Sequence, residues 1–190
     1  MANDWSAYYE ATLDKPLHPV YAELEPHLPA GGVALELGCG VGHGVRHLLE
    51  KGFHVVAIDG EPEAIEIVRS RLPEDADVEM VVANFETVDL PACDVAVAGF
   101  SLFFLEPPAF DKFWRRLVAA IRPGGLFAGQ FLGPNDDWVS RGYSVHSRAQ
   151  IDELFRDFEV LHLEEAERDG ETAMKTPKHW HVFHVVARKR

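Results

Sequence analysis

Apolar and polar positions along the chain alternate between two periods in a regular order. "GGVALELG" (31–38) is a nearly continuous apolar run of strand length, and "VGHGVRHLLEKG" (41–52) after it repeats apolar residues at helical spacing and ends on a glycine suited to a C-cap. The same pair recurs as "FHVVAID" (53–59) and "EPEAIEIVRSRL" (61–72), whose early acids suit a helix N-terminus. "VEMVVA" (78–83) and "DVAVAGF" (94–100) are further short strands. "PAFDKFWRRLVAAIRPGG" (108–125) is an amphipathic helix stopped by Pro-Gly-Gly, and "LFAGQFLG" (126–133) is the strand after it. "SRAQIDELFRDF" (147–158) opens with Ser147 and Gln150 at capping-box spacing. "EVLHLEEAE" and "HWHVFHVVAR" follow each other with no helix between them, so they pair as a hairpin. Ahead of all this, residues 4–28 read as helical pieces broken by "KPLHP", with Val20, Leu24 and Leu28 at helical spacing.

Strands that are apolar on both faces and alternate with helices form a parallel sheet covered on both sides. The expected architecture is α/β: a doubly wound, mostly parallel seven-stranded sheet with one antiparallel strand and helices on both faces. No linker, repeat or low-complexity tract divides the 190 residues, so 1–190 is expected to be a single domain, with 1–30 as an N-terminal helical lid.

Composition narrows the partners. A net charge of −13, from 31 acids against 18 Lys plus Arg, repels phosphate backbones and argues against nucleic acid. No apolar run reaches membrane-spanning length, and the first ten residues lack the basic start and apolar core of an export signal. Cys39 and Cys93 are too few for a disulfide scaffold and read as reduced thiols of a cytoplasmic protein.

In an open α/β sheet the ligand sits beyond the carboxyl ends of the strands. The loop there is "ALELGCGVGHG", with Glu36 followed by Gly38, Gly40, Gly42 and Gly44. It lacks the Gly-Lys-Ser/Thr of a phosphate loop. It also lacks the third glycine of a dinucleotide fingerprint, where His43 or Val45 stands instead. What remains is acid-x-Gly-x-Gly-x-Gly, at Glu36, Gly38, Gly40 and Gly42. Here the chain resembles the class I S-adenosylmethionine-dependent methyltransferases. An acid suits the sulfonium and ammonium of that cofactor, and bare backbone lets its methionine and ribose lie on the turn.

The resemblance runs over about residues 5–188. It extends to Asp59 at the end of the second strand, to "ANFE" (83–86), and to the order "AGFSLFFLEPPAF", "IRPGG", "LFAGQFLG". It implies that Glu36, Gly38, Cys39, Gly40, Gly42 and Gly60 line the cofactor and that Asp59 takes the ribose hydroxyls. Asn84, where the family often has Asp, would accept from the adenine amino group beside the Phe85 backbone. Phe100, Ser101 and Phe104 fall where the family places groups near the transferred methyl, and plain strand-end core is the competing reading for both phenylalanines. Trp5, Tyr8 and Tyr9 in "WSAYYE" can lid the cofactor through ring faces, or simply anchor their helix.

The expected activity is methyl transfer to a small-molecule acceptor, because 190 residues leave no room for an inserted substrate domain. The size and motif style are similar to the compact tellurite-resistance-type methyltransferases, which implies a thiol or chalcogen acceptor. A protein that holds S-adenosylmethionine without chemistry, as a sensor or partner subunit, is the alternative. Alignment of donor and acceptor supplies most of such a reaction, and a base is needed only for an oxygen or nitrogen acceptor. His146, His18 and Tyr143 are the candidates for one. The histidines of "HWHVFH" fall on both faces of one strand, His179 and His181 opposite His184, and no metal site is expected.

Overall fold

The computed structural model describes residues 5–190. The first four residues of the expected 1–30 lid lie outside the described residues. Seven strands form one sheet: β1 (Gly32–Leu37), β2 (Phe53–Asp59), β3 (Val78–Val82), β4 (Cys93–Ala98), β5 (Ile121–Leu132), β6 (Phe158–Glu171) and β7 (Pro177–Lys189). Their order is β3-β2-β1-β4-β5-β7-β6. The pairs from β3 to β5 are parallel, and β7 runs antiparallel to both β5 and β6. The doubly wound α/β sheet with one antiparallel strand is the architecture that the alternating pattern implies. Strand order turns back at β1, so the crevice of this sheet opens at the carboxyl ends of β1 and β4.

Period-two alternation assigns each strand residue to a face. Leu35 and Leu37 of β1 join the cluster under α5 (Pro107–Ala120) and α6 (Arg148–Leu154), with Phe110, Phe113, Trp114, Phe127 and Phe131. Ala34 points the other way, into a core with Val45 and Leu48 of α3 (His43–Glu50) and Ile65 and Val68 of α4 (Pro62–Arg71). Val20, Tyr21 and Leu24 of the short helix α2 (Val20–Leu24) pack on that same side. Pro26 turns the chain into a single 3₁₀ turn at Glu25–His27, which is why Leu28, although at helical spacing, lies in extended backbone. Helix α1 (Trp5–Thr12) precedes "KPLHP".

Local signals held closely. Ser147 and Gln150 form both hydrogen bonds of the capping box. Gly52 follows the last turn of α3 at φ +83°. One boundary moved: β5 begins at Ile121, ahead of Pro-Gly-Gly, because a register shift opposite Cys93–Val95 absorbs the extra residues as an irregularity within the pairing. The hairpin is also longer than its apolar pattern suggests. β7 pairs with β5 only as far as Val182, opposite Leu132, while β6 follows β7 out to Pro177. Residues 177–181 and their β6 partners therefore form an arm that overhangs the carboxyl end of β5.

The arm is fastened by the 133–146 segment beneath it. Asp136 accepts from the Lys178 ammonium and from the His181 backbone N–H, and both side chains of this ion pair are buried. The same ammonium lies 3.6 Å from the Trp180 ring centre and 4.6 Å from that of Trp138. No helix of the described residues is long and apolar enough to cross a membrane.

Phe127 is fully buried between Trp114, Phe131 and Phe155. Phe127→Ala should therefore lower unfolding free energy by about 3–5 kcal/mol in urea titration, whereas Val160→Ala, on the exposed face of β6, should stay within about 0.5 kcal/mol.

Candidate active site

β1 delivers Glu36 to the crevice on the α2 side, where only 5% of it is exposed. Its Oε1 accepts from the Tyr21 hydroxyl at 2.6 Å, and its Oε2 has no partner among the described residues. Burial pushes the Glu36 carboxyl up to about 8, against the opposing pull of the Tyr21 hydrogen bond. The strand end thus holds a protonated acid at neutral pH, where the sequence suggested a standing anion. An orphaned carboxyl oxygen at the head of a glycine loop suits a cationic ligand, whose arrival would ionise it.

The loop beyond is tied down by backbone. Gly38 N–H and Cys39 N–H both donate to the Ile58 carbonyl of β2. Gly38 has φ +74°, and a methyl there would sit 2.5 Å from the Ser101 Cβ. Around Gly40, by contrast, a Cβ would meet nothing within 4 Å, which leaves the middle of the loop an open cradle. The Cys39 side chain turns down into the core, so only its backbone faces the crevice. Burial raises its thiol well above the usual range, with the Asp59 and Glu36 charges adding to the effect. The loop glycines then enter α3, where Gly44 lies so close to Tyr21 and Glu36 that a Cβ would fall 1.9 Å from the tyrosine hydroxyl.

Asp59 closes the next strand. Its Oδ2 accepts from Gly40 N–H at 2.9 Å and its Oδ1 from Glu61 N–H at 3.0 Å. Burial raises its pKa, and those backbone bonds, with one from Gly60, hold it back down. Gly60 is exposed and would place a Cβ 3.2 Å from the Asn84 Oδ1, so the segment after β3 runs beside the Asp59 turn. Asn84 is exposed, while Phe85 stacks on Phe113 at 4.9 Å and reaches toward Gly38.

Across the crevice, after β4, Phe100 takes a positive φ of +53°, rare for a bulky residue, and its N–H donates to the Gln130 side chain. Ser101 donates to the Leu37 carbonyl at 2.6 Å, clamping this segment to the end of β1. Phe103 and Phe104 continue into an aromatic wall with Trp138 and Tyr143. Helix α1 bridges the two sides. Tyr9 is buried against Val41 of the loop and Ala64 of α4, the Ser6 hydroxyl donates to Glu63, and His43 reaches the Thr12 carbonyl. Trp5 meanwhile meets Phe104 edge-on at 5.2 Å. Burial, with Asp59 nearby, raises the phenols of Tyr8 and Tyr9.

The three candidate bases separate. His146 packs between Phe110 and Phe131 on the α5 side of the sheet, away from the loop, with Nδ1 unpartnered and burial lowering it to about 4. Tyr143 belongs to the aromatic wall. His18 stands 5.2 Å from the Phe100 ring and stacks at 5.9 Å on His184, a residue for which the sequence suggested no role. Trp180 on the overhanging arm, 5.8 Å from Phe100, and the buried Gln130 were also missed. The signal was present in the period-two series Lys178, Trp180, Val182, His184, of which the sequence reading placed only His184 on its strand face. Among the described residues no group of three or more His, Cys, Asp or Glu is arranged to hold a metal ion.

Residues 34–125, from the glycine loop through the start of β5, match the family described as a methyltransferase domain. Over this stretch the chain is similar to methyltransferase domains. The methyltransferase fold extends over nearly the whole chain. TehB from Haemophilus influenzae superposes with a TM-score of 0.78 at 15% identity, covering 92% of this chain and 63% of that one. A second neighbour is the Burkholderia thailandensis 1,6-didemethyltoxoflavin-N1-methyltransferase, solved with 1,6-didemethyltoxoflavin and S-adenosylhomocysteine. It superposes at 0.73 with 24% identity, covering 98% of this chain and 85% of that one. In sequence, the chain is 28% identical over 167 residues to the carboxy-S-adenosyl-L-methionine synthase of Dichelobacter nodosus, covering 80% of this chain and 70% of the relative. It is 31% identical over 98 residues to that of Aeromonas hydrophila, and there it spans 39% of the relative's length.

Gly44→Ala in the glycine loop should break the Tyr21–Glu36 contact and destabilise by about 1–3 kcal/mol. Gly40→Ala, strained only in φ, should cost about 1–2 kcal/mol, and paired urea titrations would rank them. A carboxyl whose pKa is raised on folding binds more protons in the folded than in the unfolded state, so its contribution falls as pH rises. Ligand-free protein should therefore lose stability between the usual glutamate pKa and about 8, and Glu36→Gln should flatten that slope in melts taken across the range.

Proposed function

We propose that this domain transfers a methyl group from S-adenosylmethionine to a small-molecule acceptor in the cytoplasm. The observation that carries this reading is the joined pair of strand-end acids. Glu36 keeps one buried oxygen unpartnered beside the glycine cradle, and Asp59 is bonded through the Gly40 N–H to the same loop. S-adenosylmethionine, when bound, supplies a methyl carbon activated by its sulfonium. Glu36 is suited to the ammonium end of its methionine, and the backbone of Gly38 through Gly42 to the chain between. Asp59 keeps lone pairs for the ribose hydroxyls while its orientation is held by two N–H groups. Asn84 and the Phe85 backbone flank the direction an adenine would take beyond Asp59. Helix α1, with Trp5, Tyr8 and Tyr9 over the loop, serves as the cover that excludes water during transfer.

A small acceptor is supported by what surrounds the far side. Phe100, Phe104, Tyr143 and Trp138 leave the crevice walled by rings and bounded by the arm, without an inserted domain. The acidic surface favours a free small molecule over nucleic acid. Two free, buried cysteines fit a cytoplasmic setting.

Calorimetry with S-adenosylmethionine, followed by release of S-adenosylhomocysteine over an acceptor panel, tests the proposal; an absence of binding would overturn it. Asp59→Ala should weaken cofactor affinity by about 1–3 kcal/mol, the cost of leaving buried hydroxyls without their acceptor.

A further inference from the structure

We infer that His18 and His184 form the polar end of the acceptor site and select a neutral, planar hydroxyl compound, such as a phenol, whose proton passes to His184. This rests on the methyl-transfer reading above and adds the acceptor class and the proton's destination.

The hydrogen-bond network sets the polarity of His18. Backbone N–H groups can only donate, so the Val20 N–H, 3.1 Å from His18 Nδ1, makes that nitrogen an acceptor. The Phe100 N–H donates to Gln130 Oε1, which leaves the Gln130 amide to donate toward the same Nδ1 at 3.5 Å. In the neutral ring the proton then sits on Nε2, so His18 offers a donor. Neither ring nitrogen of His184 has a hydrogen-bond partner among the described residues, and its ring lies nearly parallel to that of His18, at 15°. A donor and a free acceptor side by side match one hydroxyl, which accepts with its lone pair and donates with its hydrogen.

The location is right for the reaction. Phe100 packs on both imidazoles and is followed directly by Ser101, which is clamped to the end of β1 beside Gly38. Gln130 and His184 are register partners on β5 and β7 at the level where β4 ends. Trp180 stands two strand positions further out from Val182 on that face, and its ring meets that of Phe100, which packs on the pair. The nearby ammonium, Lys178, is engaged by buried Asp136, which favours an uncharged acceptor over a carboxylate. Both histidines stay neutral at pH 7. Burial lowers His18 to about 4, with His184 adding to it, and burial lowers His184 against the opposing pull of Glu164. The charged or titratable groups facing His184 are Glu164, Arg168 and His162 from β6 and His18 from the segment before α2.

The step balances without a further reactant. The acceptor oxygen forms the new O–C bond and the C–S bond breaks with its electron pair going to sulfur. The hydroxyl proton moves to His184. Products are the methyl ether, S-adenosylhomocysteine and protonated His184, which then releases its proton to solvent.

The test uses the full chain with S-adenosylmethionine and four probes: phenol, catechol, 4-nitrophenol and, for comparison, thiophenol, which can react as its own thiolate. Release of S-adenosylhomocysteine should be seen with at least one hydroxyl probe. His184→Gln should then cut kcat for that probe by about 100-fold or more. It should also remove the acidic limb of the pH profile and leave S-adenosylmethionine affinity within about twofold. His18→Gln should raise KM more than it lowers kcat. Thiophenol turnover, which needs no base, should fall less in His184→Gln than turnover of the hydroxyl probe does. His184→Asn, checked by its melt, covers the case in which glutamine does not pack. Binding of S-adenosylmethionine with no methylation of any hydroxyl probe would overturn the inference, as would an unaltered rate and pH profile in both His184 variants. Failure to bind S-adenosylmethionine at all would overturn the methyl-transfer reading itself, and is told apart by calorimetry alone.

Discussion

The carboxylate of Asp59 binds two loops into one unit. By accepting from Gly40 N–H and Glu61 N–H it locks the turn after β1 to the turn after β2. These are backbone donors at the mouth of a crevice, where neither has a neighbour in the sheet to satisfy it. Everything placed around the crevice inherits its position from that joint. The Gly38 and Cys39 amides fasten the loop to β2, Ser101 fastens the segment after β4 to β1, and α1 rests across both.

Against this rigid frame, Glu36 is held in an unfavourable state. It is buried with one hydrogen bond where a carboxyl can make several, and its protonation relieves the electrostatic cost. Replacement by a packed apolar residue would suit the empty fold better. An acid retained in such a place is consistent with a ligand that carries positive charge to it, and with binding that takes up a strain already present in the free protein.

The sheet was legible because its code is local and redundant. β1, β2 and β4 are short apolar runs, each followed by turn residues, and the capping box at Ser147 and Gln150 marked its helix outright. The cofactor side was legible for the same reason: Glu36, the glycines and Asp59 lie within 24 residues and on successive strand ends. The acceptor side was not. His18, Gln130, Trp180 and His184 come from three distant parts of the chain and meet only through the β5–β7 pairing and the packing of the segment before α2 against it. Period two put Trp180 and His184 on one face of β7, yet nothing in that pattern told how far β7 outruns β5. His146 stood out as a loop histidine, but its place among Phe110 and Phe131 depends on how α5 crosses the sheet.

The overhang of the hairpin divides labour within a single sheet. The inner halves of β6 and β7 carry the apolar rows that complete the core, while the outer halves touch only the 133–146 segment and the rings below. Lys178 and Asp136 pin that outer half as a latch pins a shutter, independently of the strands that hold the fold. Sequence drift in the tip can therefore reshape what the crevice admits while the donor half stays untouched, so one scaffold can be retuned to new compounds by editing a single ribbon.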